Sequence, residues 1–143
     1  MKAFLNENWK EIINALDEAF PDLEVVKCLK NQYGKTMKEI SGWHKELSYA
    51  AGKSWDYIKA GFNTTDKAVA QAFRDVGYSC SQVGAQLKRF VNDETAANIL
   101  KTVGFSEGDI ENTMKSLWNW GSSRFDDWWG TTKTYWDYAT GWI

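Results

Sequence analysis

The chain predicts an all-α protein built from stacked short helix pairs and ending in a tryptophan-rich helix. Three observations carry this. Apolar residues recur at i, i+3, i+4 and i+7 along most of its 143 residues. Strand alternation and Asn-Gly or Asp-Gly hairpin signals are missing. Most specifically, Val76-Gly77-Tyr78-Ser79 returns as Val103-Gly104-Phe105-Ser106, 27 positions on.

That phrase reads as a helix junction. Gly77 and Gly104 can take the left-handed conformation that ends a helix. Tyr78 and Phe105 can fold back on the helix just finished. Ser79 and Ser106 are N-caps for the next one. Gln82 completes a capping box with Ser79, and Asp109 a shorter version with Ser106. Flanking apolar residues match at the same offset: Phe73, Val76, Val83, Leu87 and Phe90 against Leu100, Val103, Ile110, Met114 and Leu117. Gly61-Phe62-Asn63, followed by Asp66, reads as a degenerate third copy. Repetition at this period is the mark of stacked helical units.

The elements follow in order. Trp9, Ile12, Ile13, Leu16 and Phe20 line a half-buried first helix, closed by Pro21, the only proline. Asp22 caps a second helix carrying Leu23, Val26, Leu29 and Tyr33 and stopped by Gly34. Thr36 with Glu39 opens a long helix, with Ile40, Trp43, Leu47, Ala50, Ala51 and Ile58 on one side, running to Gly61. Further helices are expected over 64–76, 79–91, 94–103 and 106–120, about eight in all. The whole reads as one domain in three regions: N-terminal helices over 1–62, repeat-like hairpins over 63–120 and an aromatic C-terminal helix over 121–143.

That last region is chemically distinct. It and the residues just before it hold six of the nine tryptophans. On a heptad, Trp118, Phe125, Thr132 and Ala139 share one column. Gly121, Trp128, Tyr135 and Trp142 share a second, and Ser122, Trp129, Trp136 and Ile143 a third. Asp126, Asp127, Lys133 and Asp137 fall opposite. Four uses fit such a seam: packing on the chain's own helices, self-association through aromatic anchors, settling at a lipid interface, and sugar stacking. Excess acid over Arg124 and Lys133 weakens attraction to anionic lipid. The expected contact residues are Phe125, Trp128, Trp129, Tyr135, Trp136 and Trp142. Trp55-Asp56-Tyr57 also returns as Trp136-Asp137-Tyr138, 81 positions on, which suggests an uncovered end met by another molecule.

Other functions find little support. A net charge of −2 with scattered lysines gives no reason to expect nucleic acid. His44 is the only histidine, which excludes multi-histidine metal sites, and it reads as a surface residue. Cys28 and Cys80 lack metal-type spacing and read as free thiols. Gly34-Lys35-Thr36 and Gly52-Lys53-Ser54 look like the tail of a phosphate loop, but Leu29 and Leu47 replace the required earlier glycine. The first reads as a helix junction, the second as a small mid-helix patch. Asn63-Thr64-Thr65 fits a glycosylation acceptor, with Asn63 reading first as a helix cap. No catalytic residue, cofactor or metal ligand is expected. No apolar leader follows Met1 and no window approaches the ~18 apolar residues of a membrane span. The expectation is a cytoplasmic protein, one exported by a signal-less route, or a piece of a longer chain.

Leu100–Leu117, with its Val-Gly-Phe-Ser turn, resembles the Met-Gly-Phe loop region of ubiquitin-associated domains. Val103 stands for the methionine, and the stretch covers under a fifth of the chain. The resemblance implies ubiquitin contact near Gly104 and Phe105. The residues themselves point to a non-catalytic protein-interaction or self-assembly module; a membrane-active protein using the same helix is the alternative.

Overall fold

The computed structural model describes the backbone of residues 9–140 and the side chains of 9–131. Within these the protein is all-helical, with nine helices. They are α1 (Trp9–Ala19), α2 (Asp22–Tyr33), α3 (Met37–Glu46), α4 (Ala51–Phe62), α5 (Asp66–Asp75), α6 (Cys80–Leu87), α7 (Asp93–Thr102), α8 (Glu107–Trp118) and α9 (Ser122–Thr140).

The helices pair as hairpins: α1 with α2, α3 with α4, α5 with α6, α7 with α8. Leading helices α3, α5 and α7 pack in one layer, and trailing helices α2, α4, α6 and α8 in a second. The core lies between the layers.

One junction geometry closes three leading helices. Gly77 and Gly104 have φ of 96° and 102°. The following aromatic N–H reaches back five residues, Tyr78 to the Phe73 carbonyl at 3.0 Å and Phe105 to Leu100 at 3.2 Å. Ser79 and Ser106 then cap the next helix, accepting from the Gln82 and Asp109 N–H groups. The Ser79–Gln82 capping box is complete in both directions.

The third copy of this junction is Leu47-Ser48-Tyr49-Ala50, which splits the long helix expected over 36–61. Ser48 sits at φ 61°, and the Tyr49 N–H reaches the His44 carbonyl at 2.9 Å. Serine replaces the glycine and Ala50 has no capping side chain, so the sequence carried no stop signal. Gly61-Phe62-Asn63, expected as the third copy, instead ends α4. Asn63 is its left-handed C-cap and Thr65 caps α5. Corresponding positions lie 29 residues apart between the α3/α4 and α5/α6 hairpins, and 27 between α5/α6 and α7/α8. Trp55-Asp56-Tyr57 lies on trailing helix α4, whereas Trp136-Asp137-Tyr138 lies on α9; their spacing of 81 does not match this register.

Cations bind each hairpin to the next. In the leading layer Lys45 Nζ donates to the Val76 carbonyl at 3.2 Å, and Arg74, 29 positions on, donates to Gly104 at 3.4 Å. In the trailing layer Lys30, Lys59 and Lys88 recur at the same spacing. Their ammonium groups lie 5.4, 4.3 and 5.8 Å from the ring centres of Phe62, Phe90 and Trp118. Each cation therefore meets a ring or a terminal carbonyl of the following unit, where the helix dipole favours positive charge.

Two glycines let trailing helices approach closely. A Cβ on Gly61 would sit 2.6 Å from Val26 Cγ1, and one on Gly84 2.7 Å from Thr113 Cγ2. Gly61→Ala is expected to lower stability by about 1–2 kcal/mol despite alanine's better helix propensity. Gly108→Ala, with nothing within 4 Å, is expected to hold or raise it by up to about 0.5 kcal/mol. Urea unfolding of the two variants checks the pair.

Candidate interaction surface

Helix α9 sits on the end of the array. Asn119 ends α8 in the left-handed region at φ 58°, which breaks the seam column between Trp118 and Phe125. The Phe125 N–H then donates to the Gly121 carbonyl at 3.1 Å and starts α9.

The first half of α9 is anchored on α7. Trp120 Nε1 donates to Asp93 at 3.0 Å, and Arg124 pairs with the same carboxylate at 2.8 Å while lying over the Trp120 ring. The Trp120 hydrogen bond chiefly holds the Asp93 carboxyl below the usual carboxylate range. Trp128 Nε1 donates to Asn98 at 3.0 Å. Phe125 stacks on Trp129 at 5.9 Å, and Lys101 Nζ lies 4.3 Å from the Trp129 ring centre.

Burial sorts the expected contact residues. Phe125 is 0 % exposed and Trp128 9 %, so both belong to the chain's own core. Within the chain Trp128 is held by Asn98 of α7, and Phe125 packs against Trp128 and Trp129. Trp129 is half-buried, and Asp126 and Asp127 are exposed. The backbone of Tyr135 and Trp136 lies in α9, their side chains outside the described set; Trp142 lies outside the described residues altogether.

The junction residues Tyr78 and Phe105 are buried and half-buried. Their turn geometry is shared with Leu47-Ser48-Tyr49-Ala50, so it is a hairpin device.

His44 is not on the surface. It is 1 % exposed, with Nδ1 2.8 Å from the fully buried Ser54 Oγ and its ring stacked on Tyr49 at 4.3 Å. Sequence reasoning missed this pair. The signal lay in the register: His44 matches Phe73 and Leu100, and Ser54 matches Val83 and Ile110. A polar couple replaces an apolar one. Closed to solvent, it is no nucleophile for an external substrate. Ser54 stands in the first turns of α4, so Gly52-Lys53-Ser54 is a helix start, not a mid-helix patch. Gly34 at φ 65° and the Thr36 cap make Gly34-Lys35-Thr36 a junction.

Burial lowers the His44 pKa from 6.5 to about 4, opposed by the Asp22 carboxylate. Burial first, then Asp22, raises Asp17 to about 6. Both cysteines are free; burial pushes the Cys80 thiol up to about 11, whereas Cys28 is half-exposed. Cys28 lines an open groove of about 410 Å³ with Leu16, Phe20 and Val25. Among the described residues no His/Cys/Asp/Glu group could hold a metal ion, and no helix is long and apolar enough to cross a membrane.

No protein-family model, curated protein or solved structure matches this chain.

Ser54→Val alone strands the His44 nitrogen and is expected to cost about 1–3 kcal/mol. His44→Phe with Ser54→Val restores the pairing of the other hairpins and should recover most of it. The unfolded histidine takes a proton below pH 6.5, and the buried one only near 4. The native pair therefore loses stability as pH falls between those values. The double variant should gain on the native chain by about 1 kcal/mol per pH unit over that range. Asp17, with a raised native pKa, works in the opposite sense in both proteins and drops out of the difference. Urea unfolding at pH 7 and pH 4.5 measures it.

Proposed function

We propose that this chain is a non-catalytic helical interaction module that assembles, foremost with itself, through the aromatic face of α9. One observation carries the reading. The seam enters the fold at Phe125 and Trp128, which are closed, and then leaves Trp129 half-covered. The same heptad columns go on to Tyr135 and Trp136.

Length supports it. α9 has 19 residues, roughly 28 Å, whereas α7 has 10, roughly 15 Å. α8, which also touches α9, has 12 residues, roughly 18 Å, so neither helix runs the whole length of α9. Aromatic side chains bury large areas at small entropic cost and are preferred interface anchors. The exposed Asp126 and Asp127 favour a protein partner over a lipid surface, where carboxylates would be desolvated.

Light scattering on the full-length chain up to about 0.5 mM tests the reading. Mass should rise with concentration, and Tyr135→Ser with Trp136→Ser should weaken association at least about tenfold. A strict monomer, or an oligomer indifferent to the double variant, refutes it. Co-sedimentation of the chain with neutral vesicles, lost in the same variant, transfers the function to lipid.

A further inference from the structure

We infer that the α1–α2 junction is a proton-operated latch: one proton shared by the Asp17 and Asp22 carboxyls holds α1 down, and its loss frees α1 from the array. The device goes beyond the assembly reading and does not depend on it.

The chain forces the two acids together. α1 ends at Ala19 and α2 begins at Asp22, with only Phe20 and Pro21 between them. Pro21 is the N-cap of α2, fixed at φ −58°, and supplies no side-chain cap. Asp17, in the last turn of α1, lies within hydrogen-bond reach of Asp22, in the first turn of α2. Both residues are half-buried. Asp17 Oδ1 is itself buried, with no hydrogen-bond partner among the described residues. Ionised carboxylates only accept, so this pair bonds only when one member carries a proton. With both ionised, the same contact sets like charges against each other away from water.

The helix ends decide which acid holds the proton. The last carbonyls of α1 oppose a negative charge, and no cation stands in that turn. The first N–H groups of α2 favour one. The proton therefore rests on Asp17, which donates to an ionised Asp22. Burial and then Asp22, the causes that lift Asp17 to about 6, act in the same sense.

The charged groups of the surrounding helices are engaged elsewhere. On α1, Lys10 pairs with Glu46 of α3 at 3.2 Å, and Glu11 and Glu18 are exposed acids. On α2, Lys27 pairs with Glu24 at 3.8 Å and Lys30 lies over Phe62. Lys35 lies over Trp9 and Trp43 at the far end of α1. On α3, Lys45 donates to Val76, Lys38 is exposed, and His44, on which the Asp22 carboxylate acts, is neutral above about pH 4. On α4, Asp56 and Lys59 pair with Arg89 and Asp66, and Lys53 is exposed.

α1 is a helix such a latch can move. It gives the core Trp9 and Ile13, while Leu16 and Phe20 form one wall of the open groove beside Val25 and Cys28. Phe20 is 54 % exposed. Freeing α1 opens that groove along α2. The sign follows from the raised value: docking is strongest where Asp17 holds its proton and weakens as pH rises through about 6.

Amide hydrogen exchange on the full chain at pH 5 and pH 7 tests this, with rates expressed as protection factors so that intrinsic exchange cancels. His44 stays neutral across that window. Protection at Ile13 and Leu16 should fall roughly three- to tenfold, about tenfold being the limit for one such group, while Val83 and Leu87 in α6 hold theirs. Asp17→Asn keeps a donor toward Asp22 without a titrating proton and should abolish the fall; Asp22→Asn should shrink it. The side-chain carboxyl carbon of Asp17, followed by NMR in the native chain, needs no variant and should titrate near 6. Titration below about 4.5, a fall that persists in Asp17→Asn, or α1 protection that holds or rises at pH 7 each overturns the latch.

Discussion

A ten-residue helix does not stand alone in water. Nucleating it fixes several residues for one hydrogen bond, and isolated helices of this length are marginal even with favourable sequences. The described helices before α9 have 8 to 12 residues, so each depends on the seam it shares with its hairpin partner. That seam is the constraint on the rest of the molecule. Phe73 lies in the buried cluster with Val83 and Leu87 and meets Trp55 of the preceding trailing helix edge-on at 5.0 Å, and Leu100, Ile110 and Met114 belong to the same cluster. The left-handed turns return the chain on itself so that this seam closes. The forward-reaching cations fix the spacing between hairpins once each seam exists.

The α3/α4 hairpin meets the same constraint differently. His44 and Ser54 replace two apolar side chains, and the ring of Tyr49 stacks on His44 as Tyr78 stacks on Phe73 at 4.4 Å. Shape is kept while polarity changes. The buried Ser41 Oγ and Tyr49 Oη have no hydrogen-bond partner among the described residues, which adds desolvation cost to the same hairpin. Local opening should start where polar groups are buried and least compensated, and this unit collects them.

Much of the fold was legible because its signals are local. Gly77, Gly104, Ser79 and Ser106 mark junctions whatever surrounds them, and the spacing of Phe73, Leu100, Ile110 and Met114 gives helix faces directly. Ser48 was illegible for the converse reason. A serine held at positive φ is stabilised by its neighbours, and nothing in Leu47-Ser48-Tyr49 announces that. His44 was misplaced because a lone histidine between Trp43 and Lys45 carries no burial signal until its hairpin is aligned with the next two. In α9 the sequence showed an aromatic seam but not its division. Asn98 and Asp93 lie some 30 residues before the tryptophans they hold, and only the register of α7 against α9 separates the closed rings from the half-open one.

That register also explains why α9 is long. Ser48, Gly77 and Gly104 stand at one position, and each has φ between 61° and 102°. The matching residue in α9 is Lys133, 29 after Gly104. A lysine there enters the left-handed region less readily than glycine, and it lacks what accompanies the turn at Ser48, since Thr134 stands where Tyr49, Tyr78 and Phe105 do. Without the turn the backbone continues its ladder to Thr140. The next residues therefore extend the seam of α9 rather than folding back over Trp129. Loss of one glycine-type junction converts a hairpin helix into a projecting one, and the surface proposed for assembly follows from that single change.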